Sequence, residues 1–282
     1  MYDFNNMESE LEYNELYLDS AESVPARNGY SNKNWPLFYL DRPLYNVISL
    51  KVLDVQIPFS FFVINQFNNS FLLTENMVPS QSVAVTIPVG NYNITTFTAA
   101  LQTALNQASY YEKEYTVTFD QTTQRLQIFG ALVQFEITMG NNNDPGYLAE
   151  IIGLPKGTTV ATPQGDFGEN SVIACPFSVQ LTGPNYLYVC SDAFGNTVQS
   201  YVPQKYVFGG GKGPQIAKVP INVNPNDVIY YNDPAPEKWF EVNNLAQLAS
   251  FDLYILSGGL PYKLDFNGHS FSIKLGVYTL KK

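Results

Sequence analysis

The chain has little charge, two cysteines and one histidine, and each shortage argues against a class of function. Only 14% of its 282 residues are charged, against an average of about 25%. One histidine and two cysteines supply too few ligands of those types for a zinc site. His269 lies beside the turn Asn267-Gly268, and general-base catalysis needs an oriented partner and a pocket. Because the Gly-x-Ser-x-Gly and His-Glu-x-x-His motifs are also missing, we predict no enzyme, cofactor or resident metal.

Basic residues are missing from the beginning of the chain. Residues 1–22 contain no Lys or Arg and carry seven of the ten net negative charges, leaving 18 acids and 15 bases in the remainder. Without a basic stripe, direct nucleic-acid binding is not expected. No apolar run approaches the ~20 residues of a membrane helix. The acidic beginning also lacks the features of a secretion signal.

Two kinds of loop offer weak site signals. Asn141–Asp144 and Asn226-Asp227 supply oxygen atoms for calcium, but without ordered ligand spacing, and turn formation explains both clusters. The loop of Gly209, Gly210, Gly211, Lys212 and Gly213 lacks the spacing of a phosphate-binding loop. We predict that it is exposed and that Lys212 contacts a neighbouring protein or an attachment factor.

Two long segments have the period-two alternation of half-buried strands. In Asn46–Ser60 the alternation changes phase between Val52 and Leu53, which predicts a β-bulge. In Ala249–Leu280 two alternating runs are separated by glycines and by the Asn267-Gly268 turn. An apolar last strand needs a partner, because an unpaired edge invites aggregation. We therefore predict that the first long strand pairs with the last one, as in a jelly roll.

Three segments carry a resemblance to a known family. NWPLFYLDRPLYNVISLKVLDVQIPFSFFVIN, FSVQLTGPNYLYVCSDAFGN and LPYKLDFNGHSFSIKLGV resemble penton (vertex) proteins of virophages, Polinton-like viruses and related icosahedral double-stranded DNA viruses. The similarity runs from about Trp35 to the end of the chain and consists of strands and turns. It implies a capsid jelly roll that assembles as a homopentamer at icosahedral vertices.

The expected fold is all-β: a single jelly-roll β-sandwich with a small β-α-β-β insertion and an extended N-terminal arm. We predict an acidic arm at 1–34, a jelly-roll body at 35–84 and 158–282, and the inserted module at 85–157. Thr95 is the expected cap of a helix over 96–108, where apolar residues recur at helical spacing. The hairpin 115–128 and a third strand at 133–137 follow it, and residues 216–223 and 228–231 are expected to form another strand pair across the turn at 224–227.

The arm is the expected contact with neighbouring major or minor capsid proteins. Met7, Leu11 and Leu18 share one face of a helix, which is a weak amphipathic signal. The apolar and aromatic residues expected at this interface are Tyr2, Phe4, Leu11, Tyr13, Leu16, Tyr17 and Leu18.

Cys175 and Cys190 are the two cysteines. If Phe177–Leu181 and Tyr186–Cys190 pair through the intervening turn, the cysteines lie diagonally, which is not disulfide geometry. We predict two reduced core thiols, as suits a virion protein assembled in a reducing host compartment. Two alternatives stay open: another minor capsid or spike protein, and a lectin-like receptor-binding sandwich, since jelly rolls serve both roles.

Overall fold

The computed structural model describes residues 11–25, 36–140, 147–164, 170–191, 193–194, 215–232, 239–257 and 264–281. Strands make up 54% of these described residues and helices 11%, and every strand pair among them is antiparallel. The prediction of an all-β fold is therefore confirmed.

The chain divides into two compact units. Unit 1 comprises residues 1–61 and 184–282, and unit 2 comprises residues 62–183. Unit 2 is larger than the expected insertion at 85–157. It also takes in 62–84 and 158–183, which were assigned to the jelly-roll body, because their strands pair with strands of the insertion.

Unit 1 contains a six-stranded and a three-stranded sheet. Its strands are β1 Leu11–Asp19, β2 Val24–Pro25, β3 Pro36–Pro58, β12 Tyr186–Cys190, β13 Gln215–Pro220, β14 Val228–Asn232, β15 Phe240–Asp252, β16 Tyr254–Ser257 and β17 Ser272–Leu280. The larger sheet has the order β1-β17-β3-β14, with β2 and β15 also paired to β3, and the smaller one has the order β13-β12-β16. Their apolar faces contribute to one core, as in a two-sheet sandwich.

The predicted pairing of the first long strand with the last is confirmed. β17 runs antiparallel to β3, with Ile273 opposite Val55 and Leu275 opposite Val52. Lys274 faces Asp54, so Leu53 is the extra residue at a register shift, where the sequence predicted a bulge. The buried side chains Leu50, Val55 and Leu275 are fully enclosed in the core of unit 1.

Unit 2 contains two four-stranded sheets and two helices. Its elements are β4 Ser70–Glu75, β5 Gln81–Thr86, α1 Ile94–Ala108, β6 Tyr115–Asp120, β7 Arg125–Gly130, β8 Phe135–Met139, α2 Tyr147–Ile152, β9 Gly157–Val160, β10 Thr162–Gln164 and β11 Asn170–Ala174. The sheet orders are β5-β4-β8-β9 and β10-β11-β7-β6. Both sheets and both helices enclose a second apolar core.

Helix α1 begins two residues before the predicted start. Asn93, rather than Thr95, is the N-cap: its side chain accepts from the Thr96 amide at 2.9 Å, and the Thr96 hydroxyl accepts from the Asn93 amide at 3.1 Å. This reciprocal capping box satisfies two amides that would otherwise lack partners. Phe97, Leu101 and Leu105 are buried, so the predicted apolar face is confirmed.

Two predicted hairpins are wrong because their strands belong elsewhere. Residues 177–181 form no strand, and β12 pairs instead with β13 and β16. The segments on either side of residues 224–227 do not pair with each other either, since β13 joins β12 while β14 joins β3. Cys175 and Cys190 are nevertheless both buried thiols, as predicted.

Candidate assembly surface at the β1–β17 edge

Residues 11–19 form a strand, so the helical spacing noted for Leu11 and Leu18 is misleading. All nine residues of β1 pair with β17 in one continuous register, from Leu11 opposite Leu280 to Asp19 opposite Ser272. These residues form a strand because successive side chains of a strand point to opposite faces, which places Leu16 and Leu18 against the core of unit 1. The intervening Tyr13, Glu15 and Tyr17 side chains are exposed.

The carboxylate of Glu15 gathers three donors on the outer face. The Tyr13 and Tyr17 hydroxyls each donate to it at 2.9 Å, and the Lys274 ammonium lies 2.8 Å away on the neighbouring strand. The Lys274 ammonium is the largest cause that lowers the pKa of Glu15 to about 2, followed by the tyrosine hydroxyls. The same ion pair raises the pKa of Lys274. Desolvation, with the Glu15 hydrogen bond second, raises the pKa of Tyr13 to about 12.

An aromatic cluster covers the middle of this face. The Trp239 and Tyr278 ring centroids are 4.4 Å apart, and Tyr13 lies 5.3 Å from Tyr278 and 6.2 Å from Trp239. Gly276 lies beneath these rings: a Cβ added there would be 3.0 Å from Trp239 and 3.1 Å from Tyr13. The glycine therefore lets the rings approach the backbone of β17.

Two hydrogen bonds fix the C-terminal end of β1 to the residue that precedes β17. The Ser20 amide donates to the Phe271 carbonyl at 2.9 Å, and the Phe271 amide donates to the Ser20 hydroxyl oxygen at 2.8 Å. The Asp19 carboxylate accepts from the Ala21 amide and starts the short 3₁₀ turn Ser20–Glu22. β17 is thus a specific acceptor for β1. The two strands are joined by apolar contacts, the Glu15–Lys274 ion pair, aromatic contacts of Tyr13 and the hydrogen bonds between Ser20 and Phe271.

A second carboxylate, which sequence reasoning missed, lies in unit 2. Glu75 is 1% exposed and accepts from the Ser109 hydroxyl at 2.7 Å, the Tyr115 hydroxyl at 2.9 Å, and the amides of Tyr110 and Tyr111 at 3.0 and 3.1 Å. Burial raises the pKa of Tyr115, and the Glu75 charge raises it further. These bonds fix the end of β4 to the segment after α1, so the role of Glu75 is structural. In the sequence, Glu75 is a charged residue that directly precedes a turn, so nothing indicated that it would be buried.

The remaining candidate residues lie either outside the described residues or in turns. Tyr2, Phe4, the loop 209–213 and residues 141–144 lie outside the described residues. The Asp227 amide donates to the Asn224 carbonyl, and the His269 amide donates to the Phe266 carbonyl, so both residues belong to turns. Within the described ranges, no three His, Cys, Asp or Glu residues are grouped as metal ligands. Neither described helix combines the length and apolarity needed to span a membrane.

Comparisons with known proteins give structural matches only. No protein-family model and no curated protein matches the chain. The mavirus penton protein is similar over 94% of this chain and 99% of its own, with a TM-score of 0.43 and 10% identity. A chain of the Sputnik virophage structure is similar over 96% of this chain and 98% of its own, with a TM-score of 0.42 and 14% identity. At identities this low, function does not transfer with the fold.

Proposed function

We propose that the chain is a viral capsid protein that forms a homopentamer at icosahedral vertices. The observation that carries the proposal is that two segments with sequence resemblance to penton proteins pair with each other. Residues 34–65 contain β3, residues 260–277 contain most of β17, and β3 and β17 are neighbouring strands. The segments that carry the resemblance therefore form the centre of one sheet. The mavirus penton protein is among the solved structures similar to this chain.

The outer surface of unit 1 suits repeated contacts between proteins. Its exposed large apolar side chains are mostly tyrosines, including Tyr13, Tyr17, Tyr39, Tyr45 and Tyr230. Tyrosine is enriched at protein interfaces because its ring buries apolar area while its hydroxyl still finds a polar partner. With charged residues at only 14%, such a surface can be buried by neighbours without desolvating many ions.

The buried thiols are compatible with assembly in a reducing host compartment and residence in the virion. Burial raises the pKa of the Cys175 thiol to about 12, which disfavours the reactive thiolate. Of the arm residues expected to contact other capsid proteins, the exposed Tyr13 and Tyr17 and the half-buried Leu11 stay candidates, together with Tyr2 and Phe4. Leu16 and Leu18 instead pack against the core of unit 1. The loop 209–213 remains the candidate for an attachment factor.

The native mass of the full-length protein tests the proposal. Native mass spectrometry is expected to find an assembly of five 31.6 kDa chains, and electron microscopy of the same sample is expected to show fivefold rings. A trimer would instead support the spike or other minor capsid alternative. A monomer under all buffer conditions would contradict the homopentamer.

A lectin-like role is the second candidate, because Tyr13 and Tyr17 are exposed on the outer face of β1, where Tyr13 also contacts Trp239. Exposed aromatic rings of this kind can stack on sugars. Retention of the full-length protein on a glycan array, lost on Tyr17→Ala substitution but kept with Tyr230→Ala, would favour that role. The absence of retention together with a pentameric mass would leave the capsid function as the better proposal.

A further inference from the structure

We infer that β1 is exchanged between neighbouring copies of this chain, so that β1 of one copy pairs with β17 of the next. The inference rests on the proposed function and deepens it, because it names the donor and the acceptor of a contact within the ring. The acceptor is the β17 edge with Lys274, Gly276 and Tyr278. The donor is residues 11–25.

The first argument is chemical complementarity between the strand and its receptor. β1 carries Glu12, Glu15 and Asp19 without a basic residue, and the edge of β17 presents Lys274 to Glu15 at 2.8 Å. Leu18 is 8% exposed and fills the core, while Tyr13 contacts Tyr278 and Trp239. A strand of the same sequence from a second copy would present the same groups in the same register. Exchange therefore preserves the local contacts, which is why domain swapping has a low energetic cost.

The second argument is the limited attachment of β1 to the rest of its own chain. Within the described part of the chain, β1 pairs with β17 alone and lies at the edge of the sheet. After the 3₁₀ turn, only two residue pairs, Val24 with Leu37 and Pro25 with Pro36, join β2 to β3. Ten residues, 26–35, then separate β2 from β3, and ten residues reach at most about 33–36 Å. The donor can therefore reach a second copy only if that copy is an immediate neighbour.

The third argument is symmetry. β1 and the β17 edge are different surfaces, so a contact between them on two copies is heterologous and has a direction. Heterologous contacts close into a ring when the rotation between neighbours allows it and extend into open filaments when it does not, whereas a contact of one surface with itself produces a pair. A ring of five gives each copy one donated strand and one received strand. Neighbours held in a ring also present the strand at a high effective concentration.

Cysteine cross-linking between two tagged forms of the full-length chain tests the exchange. One form carries Tyr13→Cys and the other Tyr278→Cys, since these residues are directly opposed in the ladder and cross-strand spacing permits a disulfide. The two forms are co-expressed, purified as the assembled species and oxidised. The expected main product is a disulfide-linked pair carrying both tags. Cys175 and Cys190 are buried, and wild-type protein treated in the same way controls for them.

Two further combinations keep the test decisive. Glu12→Cys with Tyr278→Cys is the matched control, because Glu12 opposes Thr279 and faces away from Tyr278, so no cross-link is expected. If Tyr13→Cys does not fold, Leu11→Cys with Leu280→Cys tests the same ladder at its other end, where these two residues are directly opposed.

The outcomes separate the inference from the proposed function. A pentamer without the two-tag product, in which a chain with both substitutions forms only an internal disulfide, overturns the exchange and leaves the pentamer intact. A trimer with the two-tag product supports exchange and overturns the pentamer. A monomer that forms only the internal disulfide overturns both.

Discussion

Glu15 in unit 1 and Glu75 in unit 2 are surrounded by similar donors but differ in burial. Glu15 accepts hydrogen bonds from two tyrosine hydroxyls and is paired with Lys274, and Glu75 accepts from one tyrosine hydroxyl, one serine hydroxyl and two amides. Glu15 lies on the exposed face of an edge strand, so water replaces any lost partner. Glu75 is enclosed, and so is the Tyr115 hydroxyl that donates to it, so water cannot readily replace that bond. The same hydrogen bonds thus stabilise an interior strongly and an edge weakly.

This difference indicates how the two units divide their roles. In unit 2, the buried carboxylate locks β4 to the chain after α1 and favours a rigid body. In unit 1, the outer strand is held by contacts that solvent, acid or a second copy can replace. A strand held in that way is suited to move between copies, whereas the core beneath it is not.

The largest expected effect comes from Glu75→Leu. The substitution removes the acceptor of the buried Tyr115 hydroxyl and of three part-buried donors, the Ser109 hydroxyl and the Tyr110 and Tyr111 amides. The cost is about 1–3 kcal/mol for a fully buried unsatisfied group and less for a part-buried one. We expect a loss of about 3–5 kcal/mol in the free energy of unfolding, measured by urea denaturation of the full chain. Hydrogen exchange should locate the loss in unit 2. Glu114→Leu, at an exposed position, is the control; equal midpoints for both variants would contradict a stabilising role for Glu75.

The next largest effect is expected at Gly153, and Gly157 is its matched comparison because the space around the two glycines differs. A Cβ at Gly153, where φ is +84°, would lie 2.3 Å from the Phe177 carbonyl oxygen, so we expect Gly153→Ala to lose about 2–4 kcal/mol through strain and overlap. Gly157 also has a positive φ, of +94°, but open space around it. Gly157→Ala should therefore lose only about 1–2 kcal/mol. Thermal denaturation of both variants measures the difference, and equal losses would show that overlap is unimportant.

Acid is expected to loosen β1 selectively. The pKa of Glu15 falls from 4.5 in the unfolded chain to about 2 in the fold, so its contribution to stability is fully present above pH 4.5. That contribution is lost as the pH falls from 4.5 through 2. In a Trp35→Phe background, Trp239 fluorescence should report movement of Tyr13 across this window. Glu15→Gln should remove the pH-dependent change in Trp239 fluorescence between pH 4.5 and 2. If the variant shows the same fluorescence change as the unsubstituted chain, the response belongs to other carboxyl groups.

Tyr17→Phe should give the smallest effect. The Tyr17 side chain is 73% exposed and donates one hydrogen bond to Glu15. Because water competes for that bond, the free energy of unfolding should change by less than about 0.5 kcal/mol. Urea denaturation measures it. A loss comparable to that of Glu75→Leu would mean that the edge is as tightly fixed as the interior.

Local patterns predicted much of the fold. Period-two alternation identified β3 and β17, the phase change located the bulge at Leu53, and the spacing of Phe97, Leu101 and Leu105 identified α1. Hairpin partners failed where adjacent segments enter different sheets, as β13 and β14 do. The unit boundaries at 61/62 and 183/184 also differ from the expected insertion, because strand pairing across long separations leaves no local signal.

The sequence by itself determined the β class, the apolar faces of β3 and β17, the turn at Asn267-Gly268 and the acidic character of residues 1–22. These properties depend on residue type and on spacing along the chain. Only the tertiary structure decided that Leu16 and Leu18 belong to an edge strand, that Glu15 meets Lys274, and that Glu75 is buried. Those outcomes depend on which distant segments meet, because a strand is stabilised by neighbours that its own residues do not specify.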